Sequence, residues 1–428
     1  MWALRVSVIV LLFASLFGIY HNVFTSFILG GGSADQVDVG RQTMLVIMVK
    51  NEELVIERLL TSVKKGGGAL FLFVCDTGST DKTLDIVSRV WRQNYRIYET
   101  NFTNFEVTRN ECNERARLYF HQMRSLVPTL NFVLLADADF VFVDRPSVVD
   151  VVPFNINTIQ IHAGISGHPH NSLHMLIRFE TFVHCRYRLW THEYLDCSAA
   201  KGASIGYYSK FYYVDYADGK SRADKLKRDI VLLEQWLLKV NEQDLRPRAL
   251  YYLARAHEDS GNYEDALLKY REHNEVQLFT NYLFYAKYRM ALIKMRQMYA
   301  SVSANQTSLK HADAIVQQAF LNAIDETDGY FRQEPLYWLA RYFRQRGQLN
   351  KCIMYSSAGL NLPAIDHSRM PLFMETYIQD WAMEEELAFC LKSVGRNQEA
   401  IAHYKHILST SGDRLDENAT SRIMKMIY

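Results

Sequence analysis

Four short strand-like segments in the first third of the chain alternate with segments of helical pattern, and this order constrains the fold most. The segments occupy residues 44–49, 70–75, 96–100 and 132–136, and all but the third are continuously apolar. Apolar runs of this length are typical of strands buried on both faces of a sheet. Strands that alternate with helices predict an α/β fold with a doubly wound, mostly parallel sheet, whose ligands lie at the carboxyl ends of the strands.

Polar motifs follow three of these segments. They are Lys50-Asn-Glu-Glu53, Asp76-Thr-Gly-Ser-Thr-Asp81 and Asp137-Ala-Asp139. Carboxylates at the end of a buried strand need a cation or hydrogen-bond donors, and their oxygens suit Mg²⁺ or Mn²⁺. Each motif also has a plainer interpretation, a helix-capping turn for the first two and a solvent-facing strand end for the third. Because all three meet at one edge of the predicted sheet, together they favour a ligand site.

The pattern changes near residue 225, where amphipathic helices replace the strands. The pattern Leu-Ala-x6-Gly occurs at residues 253–261, 339–347 and 387–395, with a small residue five positions beyond each glycine. This pattern is similar to the tetratricopeptide repeat, in which a turn joins two packed helices. Such repeats bury their apolar faces by stacking, so we expect an all-α solenoid over residues 226–428, with a divergent copy near residues 288–323. The repeats offer a surface for a protein partner.

Composition and charge bound the remaining possibilities. The chain has 428 residues, enough for two domains, and 49% of them are hydrophobic, which predicts packed cores. It carries 48 Lys and Arg against 47 Asp and Glu, a net charge of +1. This balance gives no field that would attract nucleic acid. The six cysteines lack C-x-x-C spacing, so no zinc ribbon is indicated; Cys185 and Cys197 either pair or stay as buried thiols.

The N-terminus is apolar. Residues 6–20 form one apolar stretch after Arg5, and residues 23–29 form a second. Together they reach the roughly 20 residues that span a bilayer. Residues 1–30 are therefore predicted to be a signal anchor or a cleaved signal peptide, followed by a linker at 31–43; the anchor is favoured because no clear cleavage site is present. An anchor predicts a type II protein of the ER or Golgi membrane with a lumenal catalytic part, and cleavage predicts a secreted protein.

The strand-end motifs also carry a family resemblance. Ile47-Met-Val-Lys-Asn-Glu-Glu53, Val74-Cys-Asp-Thr-Gly-Ser-Thr-Asp-Lys-Thr83 and Leu134-Leu-Ala-Asp-Ala-Asp139 resemble the nucleotide-sugar motifs of family 2 glycosyltransferases. One subgroup of that family fuses the transferase to tetratricopeptide-type repeats. The resemblance implies a GT-A domain over residues 44–225. It also implies an enzyme that moves a sugar from a nucleotide-sugar donor, a UDP-sugar being favoured, to a glycan, protein or lipid acceptor with inversion.

The resemblance further implies roles for particular residues. Glu53 and Asp76 would contact the nucleoside, and Asp137 and Asp139 would hold Mn²⁺ or Mg²⁺ on the diphosphate. Arg109 would neutralise phosphate or pair with an acid inside the fold. Thr77 stands where the family often has a second aspartate, and this departure leaves the choice of catalytic base open.

Two later segments complete the implied site. In Trp190-Thr-His192-Glu193, Glu193 would be the base that takes the acceptor proton, and His192 would ligate metal or donate to a backbone carbonyl. Asp215 stands near the position where relatives have a histidine and would be the third metal ligand, while Arg222 would bind the phosphates. The alternative hypothesis is a catalytically inactive transferase-like domain on a helical-repeat scaffold that acts as a binding module.

Overall fold

The structure of the protein is a computed structural model. It describes residues 40–427 except for residues 67, 145–157, 166–167, 203, 208–210, 217, 220–223, 278–279, 302–305, 326–331, 364–374, 413–414 and 416. The predicted anchor and linker at residues 1–39 and the predicted phosphate ligand Arg222 therefore lie outside the described residues. The chain divides into two compact units, one ending at Asp224 and the other beginning at Lys225. Each unit is considered by itself below.

The first unit is built on a mixed sheet. Its strands are β1 (Thr43–Val49), β2 (Phe71–Asp76), β3 (Tyr95–Glu99), β4 (Phe132–Ala136), β5 (Phe140–Asp144), β6 (Thr158–Ile165), β7 (His168–Arg178), β8 (Arg186–Arg188), β9 (Tyr194–Asp196), β10 (Ile205–Tyr207) and β11 (Phe211–Asp215). The strand order is β3-β2-β1-β4-β7-β6-β11-β5, with β10 beside β6, while β8 and β9 form a separate ribbon. The first four of these strands are parallel, and β7 runs antiparallel to β4.

Helices cover both faces of the parallel strands, which explains why those strands are apolar throughout. The helices are α1 (Ile56–Lys65), α2 (Thr83–Trp91), α3 (Phe105–Leu126) and the short α4 (Phe179–Phe182). Alternate residues of β1 face opposite sides. Leu45 and Ile47 pack with Leu59 of α1, whereas Met44 packs with Phe120 of α3. The predicted α/β sheet in the first half is confirmed, but the finer assignment of a GT-A fold has no support.

The second unit is entirely helical in its described part. Its helices are α5 (Lys225–Lys239), α6 (Arg246–Asp259), α7 (Tyr263–Val276), α8 (Thr280–Ser301), α9 (Gln306–Ile324), α10 (Glu334–Gln345), α11 (Leu349–Leu360), α12 (Met383–Ser393), α13 (Asn397–Ser411) and α14 (Glu417–Ile427). Gly261, Gly347 and Gly395 lie at the turns of the hairpins α6–α7, α10–α11 and α12–α13, each with φ between 71° and 84°. Only glycine adopts this conformation without strain, which explains its place in the repeat. The predicted helical-repeat domain is confirmed.

Largely buried ion pairs connect helices of neighbouring hairpins. Glu258 near the end of α6 accepts two hydrogen bonds from Arg289 of α8, and its side chain is fully buried. At the next-but-one junction the charges are exchanged, because Arg344 of α10 donates to Glu386 of α12. Burial raises the pKa of Glu386 above its ordinary value despite this arginine. These pairs hold each hairpin in one register against its neighbour.

All six cysteines are paired. The disulfides are Cys75–Cys112, Cys185–Cys197 and Cys352–Cys390, so the open question about Cys185 and Cys197 is answered in favour of pairing. Cys352–Cys390 connects α11 to α12 across a sequence separation of 38, whereas Cys185–Cys197 closes a separation of 12 around the β8–β9 ribbon.

Replacing both cysteines of a pair by alanine should destabilise the protein by roughly 2–4 kcal/mol for Cys352–Cys390, because the larger loop loses more entropy when it is closed. The matched change at Cys185 and Cys197 should cost about 1 kcal/mol less in the same loop-entropy model. Urea unfolding of the two double variants gives both values. Free thiols at Cys352 and Cys390, found by mass mapping of the folded, unreduced protein, would contradict the expectation.

Candidate functional site

The sheet of the first unit brings the three polar motifs to one edge. In the parallel register Val49 pairs with Asp76, and Ile47 pairs with Ala136. Residues 50–53, the turn after Asp76 and the segment 137–139 therefore all leave the sheet on the same side, as the strand order predicts. Their side chains nevertheless have different environments, which only the tertiary contacts reveal.

The turn after β2 supplies hydrogen-bond donors to the carboxylate of Asp76. Asp76 is 3% exposed and accepts hydrogen bonds from the amides of Gly78 (3.3 Å) and Ser79 (3.0 Å) and from the Ser79 hydroxyl. Gly78 has a φ of 97°, which permits the tight turn. The oxygens of Asp76 are thus engaged by the chain itself, as in a capping turn.

The segment after β1 is tied to the same turn. The Asn51 side chain accepts from the Thr80 amide at 2.7 Å, and the Glu53 carboxylate accepts from the Lys82 amide at 3.2 Å. Asn51 itself has a φ of 56°. The structure therefore uses Glu53 to join two turns. The predicted nucleoside contacts of Glu53 and Asp76 are not tested by this arrangement and stay predictions.

A buried cluster forms around Arg109 of α3. Its Nε donates to Glu193 and its Nη2 donates to Asp137, both at 2.7 Å. The guanidinium also lies 5.3 Å from the centre of the Tyr187 ring. The side chain of Glu193 is 13% exposed and that of Asp137 is 46% exposed. Of the two roles predicted for Arg109, the structure has it paired with acids inside the fold.

The electrostatics of this cluster follow from burial and charge. Burial by itself lowers the pKa of Arg109, but Asp137 and Glu193 outweigh it and hold that pKa well above its ordinary value. Burial raises the pKa of Tyr187 to about 12, so its hydroxyl stays protonated at neutral pH. The segment that supplies Glu193 contains two non-glycine residues with positive φ, Leu189 at 84° and His192 at 53°. Such backbone conformations persist only where surrounding contacts enforce them.

Asp139 lies in a second, separate environment. It is 6% exposed, and its Oδ2 accepts from the amide of Gly219 at 3.4 Å. A Cβ on Gly219 would lie 3.2 Å from both Asp139 Oδ2 and Glu52 Oε2, so the backbone at Gly219 packs against two buried carboxylates. Asp215 of β11 pairs with Phe140, the residue after Asp139, which places it nearby.

Arg58 holds the neighbouring loop in place. It donates to both oxygens of Asp218, at 2.6 and 3.0 Å, and its guanidinium lies 4.2 Å from the centre of the Tyr216 ring. Glu52 and Arg58 were missed by sequence reasoning. No local signal marked Glu52, because β1 ends at Val49 and Asn51, with its φ of 56°, interrupts the alternation of faces.

Only some of the residues at the predicted Mn²⁺ or Mg²⁺ site therefore suit a metal ion. Asp139 and Glu52 offer buried oxygens of the kind these ions prefer, whereas Asp137 already binds a guanidinium. His192 and Asp215 lie in the described part of the chain, but no geometry there joins them to Asp137 as ligands of one ion. The metal and its four predicted ligands stay a prediction.

The second unit presents a different kind of candidate surface. Within residues 248–259 of α6, all side chains are buried except Arg248, Tyr252, Arg255 and Asp259. Their spacing of four, three and four residues aligns them along one face of the helix. At the equivalent positions of α10, Trp338, Arg341 and Gln345 are also not buried. We call these seven side chains the repeat surface.

Cations and aromatic rings are in contact along the repeat surface. Arg248 lies 4.9 Å from the centre of the Tyr252 ring, and Arg341 lies 5.5 Å from that of Trp338. The Nε1 of Trp338 is buried and, among the described residues, has no hydrogen-bond partner. Helix α8 carries four basic residues and no acidic one, namely Lys287, Arg289, Lys294 and Arg296.

Comparison with known proteins yields structural similarity only. No family model matches the chain, and no curated protein matches it. A crystal structure of MamA matches with a TM-score of 0.32 at 14% identity, covering 46% of this chain and 94% of that one. TTC0263, a thermophilic TPR protein in Thermus thermophilus, matches with a TM-score of 0.32 at 16% identity, covering 48% and 92%. YrrB, described as a TPR protein with an unusual peptide-binding site, has a TM-score of 0.28 at 13% identity, covering 42% and 75%.

These findings correct the family resemblance. No finding supports a family 2 glycosyltransferase domain, so that prediction is not kept. The prediction of an enzyme, the glycosyltransferase keywords and the nucleotide-sugar donor have no support either. The hydrogen bonds of Asp76, Glu53 and Asp137 within the chain give these motifs a structural use that needs no nucleotide. Short polar turns of this kind recur at strand ends for structural reasons alone.

The predicted location is corrected as well. None of the helices in the described residues is long and apolar enough to cross a membrane. The predicted ER or Golgi location and the membrane keywords therefore have no support in the described residues and are not kept. The second half of the chain has a helical-repeat architecture.

Proposed function

We propose that the protein is a binding module whose helical repeats hold a protein partner through a segment rich in acidic side chains. The observation that carries this proposal is the repeat surface, where partly exposed aromatic rings and arginines stand at equivalent positions of two repeats, Tyr252 with Trp338 and Arg255 with Arg341. Tryptophan, tyrosine and arginine are the residue types that most often dominate binding energy at protein interfaces.

The charge of the repeat surface favours an acidic partner. Arg248 and Arg255 of α6 and Arg341 of α10 lie on the repeat surface. The neighbouring α8 adds Lys287 and Lys294, whereas its Arg289 and Arg296 pair with Glu258. A planar guanidinium held against an aromatic ring keeps its edge available for a carboxylate. Asp259 is the acidic member of the surface, and Arg255 pairs with it at 3.3 Å. The remaining positive charge favours a partner that supplies Asp or Glu side chains.

Trp338 provides a specific anchor. Its indole N–H is a donor without a partner in the described residues. That atom is buried, so a partner would contact the partly exposed part of the ring, beside Arg341.

Fluorescence anisotropy tests the proposal with the full chain. The probe is a short labelled peptide in which Glu alternates with Ser and Leu, compared with versions in which Glu is replaced by Gln or by Lys. We expect the Glu peptide to bind most tightly and to weaken as salt is added, because its ion pairs with the surface are screened.

Substitutions locate the binding site. Trp338→Ala removes the aromatic ring, and Arg341→Gln removes a charge; each should weaken binding at least about tenfold if these are anchor residues. Arg396→Gln is the matched control, since Arg396 is exposed on the turn before α13 and pairs with Glu399. Equal affinity for all three peptides, or equal loss in the control and in Arg341→Gln, would overturn the proposal.

A further inference from the structure

The three disulfides differ in how exposed their cysteines are. Cys197 is only partly buried, and the exposed Ser198 and Ala199 follow it. The other five cysteines, including its partner Cys185, are at most 2% exposed. Thiol–disulfide exchange requires a thiolate to reach one of the two sulfurs, so its rate depends on access. The disulfide between Cys185 and Cys197 is therefore the most accessible of the three to a dissolved thiol.

This disulfide closes a ribbon that the main sheet does not support. Strands β8 and β9 have three residues each and, in the described part of the chain, pair with each other and with no other strand. A two-stranded ribbon alone is marginally stable in water. Between its strands, Leu189 and His192 have φ values of 84° and 53°, which only surrounding contacts can enforce. The ribbon therefore depends on its attachments to the rest of the first unit.

Those attachments are of two kinds. Helix α3 supplies hydrogen bonds: the Asn110 side chain donates to the carbonyl of Tyr187 at 2.8 Å and accepts from its amide at 2.7 Å, and Glu106 accepts from the amide of Leu189 at 2.9 Å. The disulfide is the covalent attachment, and it joins the residue after β9 to Cys185, which is buried in the core cluster of this unit. Water can replace the hydrogen bonds when the ribbon moves, whereas the disulfide holds until it is reduced.

We propose that the Cys185–Cys197 disulfide is a redox-sensitive latch that holds the β8–β9 ribbon, and with it Glu193, against Arg109. While the disulfide is intact, the two ends of the segment stay joined, so a ribbon that leaves α3 gains little conformational freedom. After reduction the same segment is an open chain, and its larger entropy in the detached state favours opening. In the open state Arg109 lacks the carboxylate of Glu193, and water enters the buried cluster.

The reaction is an exchange with a dithiol, the class of reductant that the latch requires. One thiolate of the dithiol attacks the Sγ of Cys197, the sulfur–sulfur bond breaks, and Cys185 leaves as a thiolate that takes up a proton. The second sulfur of the dithiol, as its thiolate, then attacks the mixed disulfide and releases Cys197, which is protonated in turn. Two electrons and two protons thus pass to the protein, and the reductant ends as a disulfide.

Mass mapping of the folded full chain tests whether this disulfide is reduced selectively. The protein is incubated with dithiothreitol at neutral pH, and samples taken over time are quenched with N-ethylmaleimide, which labels each cysteine that has been reduced. We expect Cys185 and Cys197 to be labelled at least about tenfold faster than the cysteines of the other two pairs, because both members of those pairs are buried. Labelling of all six together, of another pair first, or of none in the folded protein would overturn the proposal.

Amide hydrogen exchange of the selectively reduced protein tests whether the ribbon is released. Residues 186–196 should exchange at least about tenfold faster after reduction, β1 to β4 should be unchanged, and re-oxidation should restore the slow exchange. Cys185→Ala/Cys197→Ala should exchange like the reduced parent protein with or without dithiol. Cys352→Ala/Cys390→Ala is the matched control and should keep the redox response of the ribbon. Unchanged exchange of the ribbon in the reduced parent protein, or equal acceleration in β1 to β4, would show that the disulfide is not a latch.

Discussion

Glu258→Gln is expected to lower the free energy of unfolding by about 3–5 kcal/mol, the usual cost of removing one partner from a buried ion pair. Arg289 donates to both oxygens of Glu258, at 2.5 and 3.0 Å, and Tyr270 donates to Oε2 at 2.9 Å. The glutamine would leave the Arg289 guanidinium without a counter-charge at a position where the carboxylate side chain is fully buried. Urea unfolding followed by circular dichroism measures the loss.

The chain contains a matched control for this prediction. Arg396 donates to both oxygens of Glu399, each at 2.6 Å, in the same two-bond geometry, but this pair is half exposed at the start of α13. Glu399→Gln should leave the unfolding midpoint nearly unchanged, because water replaces the lost interaction. Burial is then the variable that differs between the two substitutions. An equal effect at both positions would refute the assignment of the Glu258 pair as a structural connection between repeats.

Arg109→Met is expected to destabilise the first unit by about 3 kcal/mol or more. Methionine fills a similar volume, so the main loss is the charge that Glu193 and Asp137 share. Asp137 is nearly half exposed and can be solvated by water, whereas the largely buried Glu193 would be left as an unpaired carboxylate.

A double variant tests this explanation. Adding Glu193→Gln to Arg109→Met removes the unpaired carboxylate charge and should recover a substantial part of the lost stability. Independent sites would not show such a coupling. Adding Asp137→Asn instead should recover little. Thermal unfolding followed by intrinsic tryptophan fluorescence, with Trp190 close to Glu193 in the chain, compares the three variants. Strictly additive effects of Arg109→Met and Glu193→Gln would show that the pair does not act as a unit.

The family resemblance failed for a reason that concerns sequence motifs in general. The segment from Asp76 to Asp81 and the pair Asp137 and Asp139 were interpreted through possible ligands. In the fold, the oxygens of Asp76 accept from Gly78 and Ser79, and Asp137 accepts from Arg109. A turn between strand and helix needs such acceptors whether or not a ligand binds. The first two motifs were therefore not independent signals of function, because the same kind of turn between strand and helix can produce both.

The sequence by itself determined the local architecture: the strands β1 to β4 with their intervening helices, and the hairpins whose turns require glycine at positions 261, 347 and 395. These features depend on periodicity and on φ within a few residues, which neighbouring residues control. Only the tertiary structure decided that Arg109 meets Glu193, that Glu52 rather than Glu53 is buried, that Cys75 pairs with Cys112, and that His403 contacts Glu384. Those contacts join residues from 19 to 84 positions apart. Tertiary packing determines these contacts, and no local sequence pattern predicts them.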